Sequence, residues 1–168
     1  MTPNGISLAG MAIAAVAGAC LALVSIAGSA VGQVVLLAGA AVLVQLRLVC
    51  NMLDGLLAVE GGMGTRTGPL FNEVPDRIAD LFILVGAGYA IRWVDWGPEL
   101  GWLAGVLAVL TAYVRLLGGS LGFVQWFSGP MAKPQRMAVL TLASLVSIVE
   151  AGAREDRGGA PTIGLVLI

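Results

Sequence analysis

Histidine is absent from all 168 residues. That removes the commonest general base at neutral pH and the usual nitrogen ligand of zinc, so acid–base or metal chemistry falls to carboxylates. Charge is scarce as well, at 11% of residues, and a formal net charge of −1 leaves no basic face for a nucleic-acid partner. The two cysteines, Cys20 and Cys50, sit in separate apolar runs and read as small buried hydrophobes. Their spacing offers neither a disulfide framework nor a thiolate metal site. The first residues lack the basic opening and small-residue cleavage site of a secretory signal, so Leu8 onward reads as a retained first span. No internal repeat or low-complexity tract is present.

What the chain does have is apolar length. Hydrophobic residues make up 58% of it and the mean hydropathy is +0.95, outside the range of soluble domains. A membrane-crossing helix needs about 20 mostly apolar residues. Leu8 to Ile26 meets that without a charge, and Val31 to Val59 follows a Gly-Ser-Ala turn. A Gly-rich loop covers Glu60 to Phe71, and a third helix is expected from Asn72 to Ile91. Arg92 to Glu99 is a short charged connection with Trp93 and Trp96 as interfacial anchors, a role that also suits Trp102. The fourth span is expected from Gly101 to Leu117, a polar segment from Gly118 to Arg136, and the fifth span from Met137 to Glu150. The Gly101-x-x-x-Gly105 pair allows close helix approach, by internal packing or by dimerisation. A last apolar run, Pro161 to Ile168, is too short to cross and reads as a sixth helix cut short.

The expected fold is therefore an all-α, six-transmembrane-helix bundle forming one membrane domain over residues 1–168. If the loop after the second helix faces the cytoplasm, Arg66, Arg77, Arg115, Lys133 and Arg136 lie on that side, with Arg92, Arg154 and Arg157 opposite. That distribution agrees with the positive-inside rule.

The polar residues of residues 51–80 carry the chemistry. Asn51 and Asp54 share one helical face, as do Asn72, Asp76 and Asp80 at four-residue steps on the next helix. Ionisable groups in such an apolar chain are costly and default to a functional site. Oxygen ligands from two facing helices suit hard divalent cations, Mg²⁺ or Mn²⁺, which can bridge phosphate oxygens and stabilise a leaving phosphate. Gly55 and Gly68 lack side chains, so a phosphate or nucleotide could approach the backbone there, and Ala58 keeps the Asp54 face open. Without histidine, a carboxylate must act as the base that activates an alcohol. The competing explanation is plain charge pairing, with Arg47 and Arg77 available as partners.

This arrangement resembles the signature of the CDP-alcohol phosphotransferases, D-x-x-D-G-x-x-A-R, then eight or nine residues, then G-x-x-x-D-x-x-x-D. Asp54, Gly55, Ala58, Gly68 and Asp76 fall in register, with eight residues in the gap. The opening Thr2-Pro3-Asn4-Gly5-Ile6-Ser7-Leu8 is similar to the segment before that family's first helix. Three positions depart: Asn51 and Asn72 stand where the family has aspartates, and Val59 where it has arginine. Asparagine carbonyls still ligate metals, Asp80 restores one lost charge, and Glu60 or Glu73 could approach from the loop.

The resemblance implies an integral membrane transferase of phospholipid biosynthesis. It would move a phosphatidyl or other substituted phosphate group from a CDP-linked lipid such as CDP-diacylglycerol to a small alcohol, releasing CMP. Asn51, Asp54, Asn72, Asp76 and Asp80 would be the Mg²⁺ or Mn²⁺ ligands, with Asp76 as base and Asp80 beside it as a second catalytic candidate. Gly55, Ala58 and Gly68 would line the cytidine diphosphate pocket, and Arg115, Lys133 and Arg136 would contact an acceptor phosphate. The resemblance further implies a homodimer in a bacterial inner membrane, with its active site facing the cytoplasm. The alternative is a catalytically impaired member that binds nucleotide or lipid as a scaffold, motivated by Asn51, Asn72 and Val59.

Overall fold

Four prolines open helices. The computed structural model describes residues 2–62, 66–91, 94–124 and 133–154, and these form α1 (Pro3–Val24), α2 (Ala30–Val59), α3 (Gly68–Ala90), α4 (Gly97–Ser120) and α5 (Lys133–Arg154). Pro3, Pro69, Pro98 and Pro134 each lie in the first turn, where a missing N–H costs nothing and the fixed φ suits the helix. Hence α3 starts at Gly68 instead of Asn72, and α5 at Lys133 instead of Met137. Helix α4 also runs on to Ser120, so the expected polar stretch from Gly118 to Arg136 is shorter than its composition suggests. Gln135 and Arg136, expected in that stretch, lie instead in the first turn of α5. Thr2 and Ser29 cap α1 and α2, accepting from Gly5 N–H at 3.3 Å and Gly32 N–H at 3.1 Å.

Helices α1, α2, α4 and residues Pro134–Gly152 of α5 are long and apolar enough to cross a membrane. Helix α3 is not among them, because Glu73, Asp76, Arg77 and Asp80 crowd its first half. The expected sixth helix, 161–168, lies outside the described residues, as do Arg92, Trp93 and Arg157. Trp96 and Trp102 are exposed. Cys20 and Cys50 are free thiols.

Helix α1 packs against both α2 and α3; α4 packs on the far side of α3, and α5 on the far side of α2. Small residues make this possible. The buried stripe of α1 runs Ser7, Gly10, Ala14, Ala17, Gly18, Leu21, at helical spacing. A Cβ on Gly18 would collide with the Phe82 carbonyl, and one on Gly86 with the backbone of Gly18. Where α3 meets α4, a Cβ on Gly101 would stand 2.8 Å from Gly88 Cα. Gly101 and Gly105 therefore serve packing within the chain, Gly105 against Leu81. In lipid, where apolar side chains gain little by leaving their surroundings, this close backbone approach is what holds helices together. The outward faces remain apolar, as Val106, Leu110, Val114, Leu142 and Val149 show.

Consecutive helices alternate in direction. The start of α1, the end of α2, the start of α3, the end of α4 and the start of α5 consequently meet at one end of the bundle, where side chains from all five touch.

Candidate functional site

At that shared end lies a cavity of about 440 Å³, open on one side. Its walls come from the first turns of α1 (Pro3, Asn4, Ser7), the last turns of α2 (Asp54, Gly55, Ala58, Val59), the opening of α3 (Gly68, Pro69, Asn72, Glu73) and Leu116 of α4. All three residues expected to line a nucleotide pocket, Gly55, Ala58 and Gly68, are on it. A Cβ at Gly55 would meet no other atom within 4 Å, so that face of α2 looks into open space. Two carboxylates line the cavity, Asp54 and Glu73.

Asp54 is buried, with 4% of its surface exposed. Its Oδ2 accepts a 2.6 Å hydrogen bond from Ser7 Oγ, while Oδ1 is buried with no hydrogen-bond partner. Such an orphaned anionic oxygen is costly in a low-dielectric setting unless a ligand completes it. Glu73 is braced by Arg77 of its own helix at 2.6 Å and by Arg115 of α4 at 3.6 Å. Arg115, expected as an acceptor-phosphate contact, is not on the cavity wall and is tied to it through Glu73.

The remaining acidic residues form a second, separate cluster. Arg47 is fully buried on α2, and its Nη2 donates to Asp76 Oδ1 at 3.2 Å and to Asp80 Oδ1 at 2.9 Å. Arg136 of α5 donates to Asp80 Oδ2 at 2.8 Å, and Asn51 Nδ2 to Asp76 Oδ2 at 3.1 Å. Two guanidiniums therefore face two carboxylates, and the cluster is close to neutral. Asp80 is 1% exposed, the most enclosed acid described. Asn51, Asp76, Asp80 and Arg136 do not border the cavity. The side chain of Lys133 lies outside the described residues.

The five oxygen-bearing residues expected to act as one ligand set are thus split. Asp54 and Asn72 border the cavity, whereas Asn51, Asp76 and Asp80 join the arginine cluster. Among the described residues, no group of three or more Cys, Asp or Glu side chains is placed to hold an ion. One hard cation fits the cavity better than several. Asp54 Oδ1 lacks a partner and Asn72 adds an amide oxygen on the same wall, whereas both oxygens of Glu73 are paired with arginines; Mg²⁺ commonly takes one or two carboxylates plus water and phosphate oxygens.

Sequence reasoning named Arg47 only as a possible charge partner, yet it is the hub of the cluster. It also overlooked Ser7, although a hydroxyl on the small-residue stripe of α1, in the segment before the first long apolar run, was a usable signal. Of the two acids expected from the loop, Glu73 reaches the cavity, while Glu60 caps the end of α2 and is exposed.

No protein-family model and no solved structure matches the chain. A curated relative, Inner membrane protein YnbA of Escherichia coli (strain K12), is 28% identical over 145 residues, which cover 86% of this chain and 67% of the relative. Together with four helices of membrane-crossing length and composition, that likeness marks the chain as an all-helical integral membrane protein.

Proposed function

We propose that the chain is a membrane transferase that moves a substituted phosphate group, a phosphatidyl group in the simplest case, from a CDP-linked lipid to a small alcohol and releases CMP. The observation that carries this reading is the cavity itself. Residues from positions 54 to 72, picked out by their spacing and their likeness to the CDP-alcohol phosphotransferase signature, meet around one space large enough for a diphosphate and part of a nucleoside. The site is proposed to face the cytoplasm from an inner membrane, in keeping with the positive charges of Arg77, Arg115 and Arg136 at the same end of the bundle.

In this reading Gly55, Ala58 and Gly68 form a floor without bulky side chains, on which the diphosphate rests against backbone. Asp54, with Asn72, would hold Mg²⁺ or Mn²⁺, which when bound would neutralise charge on the diphosphate and on departing CMP. Ser7 holds Asp54 by Oδ2, which leaves Oδ1 without a protein partner and available to the ion. The acceptor hydroxyl loses its proton to a carboxylate. Asp76, one turn beyond Asn72, is the candidate; it lies off the cavity wall with its oxygens held by Arg47 and Asn51, so it takes the proton only by giving up one of those donors. The alcohol oxygen then bonds to phosphorus as the bond to the CMP oxygen breaks. Arg115, braced by Glu73 at the cavity rim, is the candidate contact for an acceptor phosphate.

CMP release from CDP-diacylglycerol, measured in nanodiscs with Mg²⁺ and a panel of alcohols, tests the reading. Turnover with one or more alcohols is expected, and none with any would reject it. The engagement of Asp76 and Asp80 by arginines favours a second reading, an inactive relative that binds nucleotide or lipid as a scaffold. Asn51→Asp with Asn72→Asp separates the two: a scaffold gains activity or stays silent, whereas a working enzyme tuned to asparagine loses or alters it.

A further inference from the structure

We infer that this site takes a single divalent cation, held from Asp54, and that Arg47 and Arg136 supply the positive charge that a second ion would otherwise bring between Asp76 and Asp80. The inference rests on the proposed reading of the cavity and narrows it to one ion.

All four oxygens of Asp76 and Asp80 already have donors. Asp80 Oδ1 is met by Arg47 and Oδ2 by Arg136; Asp76 Oδ1 is met by Arg47 and Oδ2 by Asn51. A divalent ion inserted there would have to displace guanidiniums or sit beside them. In the second case a near-neutral quartet, fully enclosed at Arg47 and Asp80, would acquire two uncompensated positive charges where water screens them poorly. Asn51 adds a chemical objection. Its amide donates to Asp76 Oδ2, so that oxygen too is already engaged.

Asp54 is the opposite case. It is 96% enclosed by its 4% exposure, its Oδ1 has no partner, and it borders open space shared with Asn72 and Glu73. One carboxylate with phosphate and water oxygens is an ordinary Mg²⁺ environment. Binding of the ion is therefore expected to strengthen when a diphosphate is present.

The test is Mn²⁺ binding to the whole chain in nanodiscs, with and without CDP, followed by electron paramagnetic resonance and isothermal titration. One Mn²⁺ per chain is expected, with the spectrum of an isolated ion, tighter binding with CDP, and loss in Asp54→Asn. Asp80→Asn should keep the single ion if it folds; if it does not, the count in the unaltered chain decides. Two ions per chain, an exchange-coupled pair, an ion that survives Asp54→Asn, or no ion at millimolar Mn²⁺ would each overturn the inference. Turnover is scored separately. CMP release with two bound ions defeats the single-ion inference alone, and one Asp54-dependent ion without CMP release defeats the transferase reading alone.

Discussion

Asp54 and Asp80 are both buried acids at the same end of one bundle, yet their surroundings differ in kind. Asp80 has a guanidinium on each oxygen, from α2 and from α5. Asp54 borders the cavity, has one hydroxyl on one oxygen and has no hydrogen-bond partner on the other. The first arrangement ties helices together and consumes its charge. The second keeps a charge in reserve for something that arrives. A buried acid in a membrane chain can therefore be structure or site, and the number of its oxygens already satisfied tells which.

The sharpest way to break this contrast is to remove the hub of the closed cluster. Arg47→Met takes the guanidinium from Asp76 Oδ1 and one of the two from Asp80, and breaking a buried pair from one side costs about 3–5 kcal/mol. Thermal unfolding in detergent should show a large drop in stability, and an unchanged midpoint would mean that the cluster holds nothing. Next comes Asp54→Asn, expected to lower CMP release about 10²–10³-fold, the scale seen when one charge-stabilising group leaves a reacting centre. Its unfolding midpoint should stay put or rise, because an orphaned buried charge disappears with it. A fall in stability to match Arg47→Met would erase the distinction between the two acids.

Ser7→Ala sharpens the open side. It takes the single hydrogen bond from Asp54 Oδ2 and should weaken Mn²⁺ binding about 10–100-fold, as loss of a group that orients a ligand does. Unaltered Mn²⁺ affinity would show that Asp54 orients itself. The smallest effect is expected at the rim. Arg115→Gln removes a 3.6 Å ion pair with Glu73 between partly exposed side chains, a change of no more than about 1 kcal/mol in stability. If Arg115 contacts an acceptor phosphate, the acceptor KM rises while the unfolding midpoint holds.

The first two helices and the motif that ends the second were legible because apolar length and four-residue spacing are local properties. Helix ends were less so, since a proline signals a break in sequence but a first turn in the folded chain, as at Pro69, Pro98 and Pro134. The candidate site divided the same way. Gly55, Ala58, Gly68, Asp54 and Asn72 share faces that periodicity predicts, and they do border one cavity. Asp76 and Asp80 share a face with Asn72 too, but their partners come from α2 and α5, at positions 47 and 136. No local rule connects those positions.

What the amino-acid order decided alone is the apolar, helical character of the chain and the faces of α2 and α3 that carry oxygen. Hydropathy and the 3.6-residue turn are properties of neighbouring residues, so no folded structure is needed to read them. Which acids keep an unsatisfied oxygen was decided by packing. The glycines at 18, 86, 88 and 101 bring α3 against α1 and α4, and in the assembled bundle Arg47 of α2 and Arg136 of α5 reach Asp80 of α3. Charge compensation in a medium without water depends on distances of a few ångströms between helices far apart in sequence, and only the assembled bundle contains them.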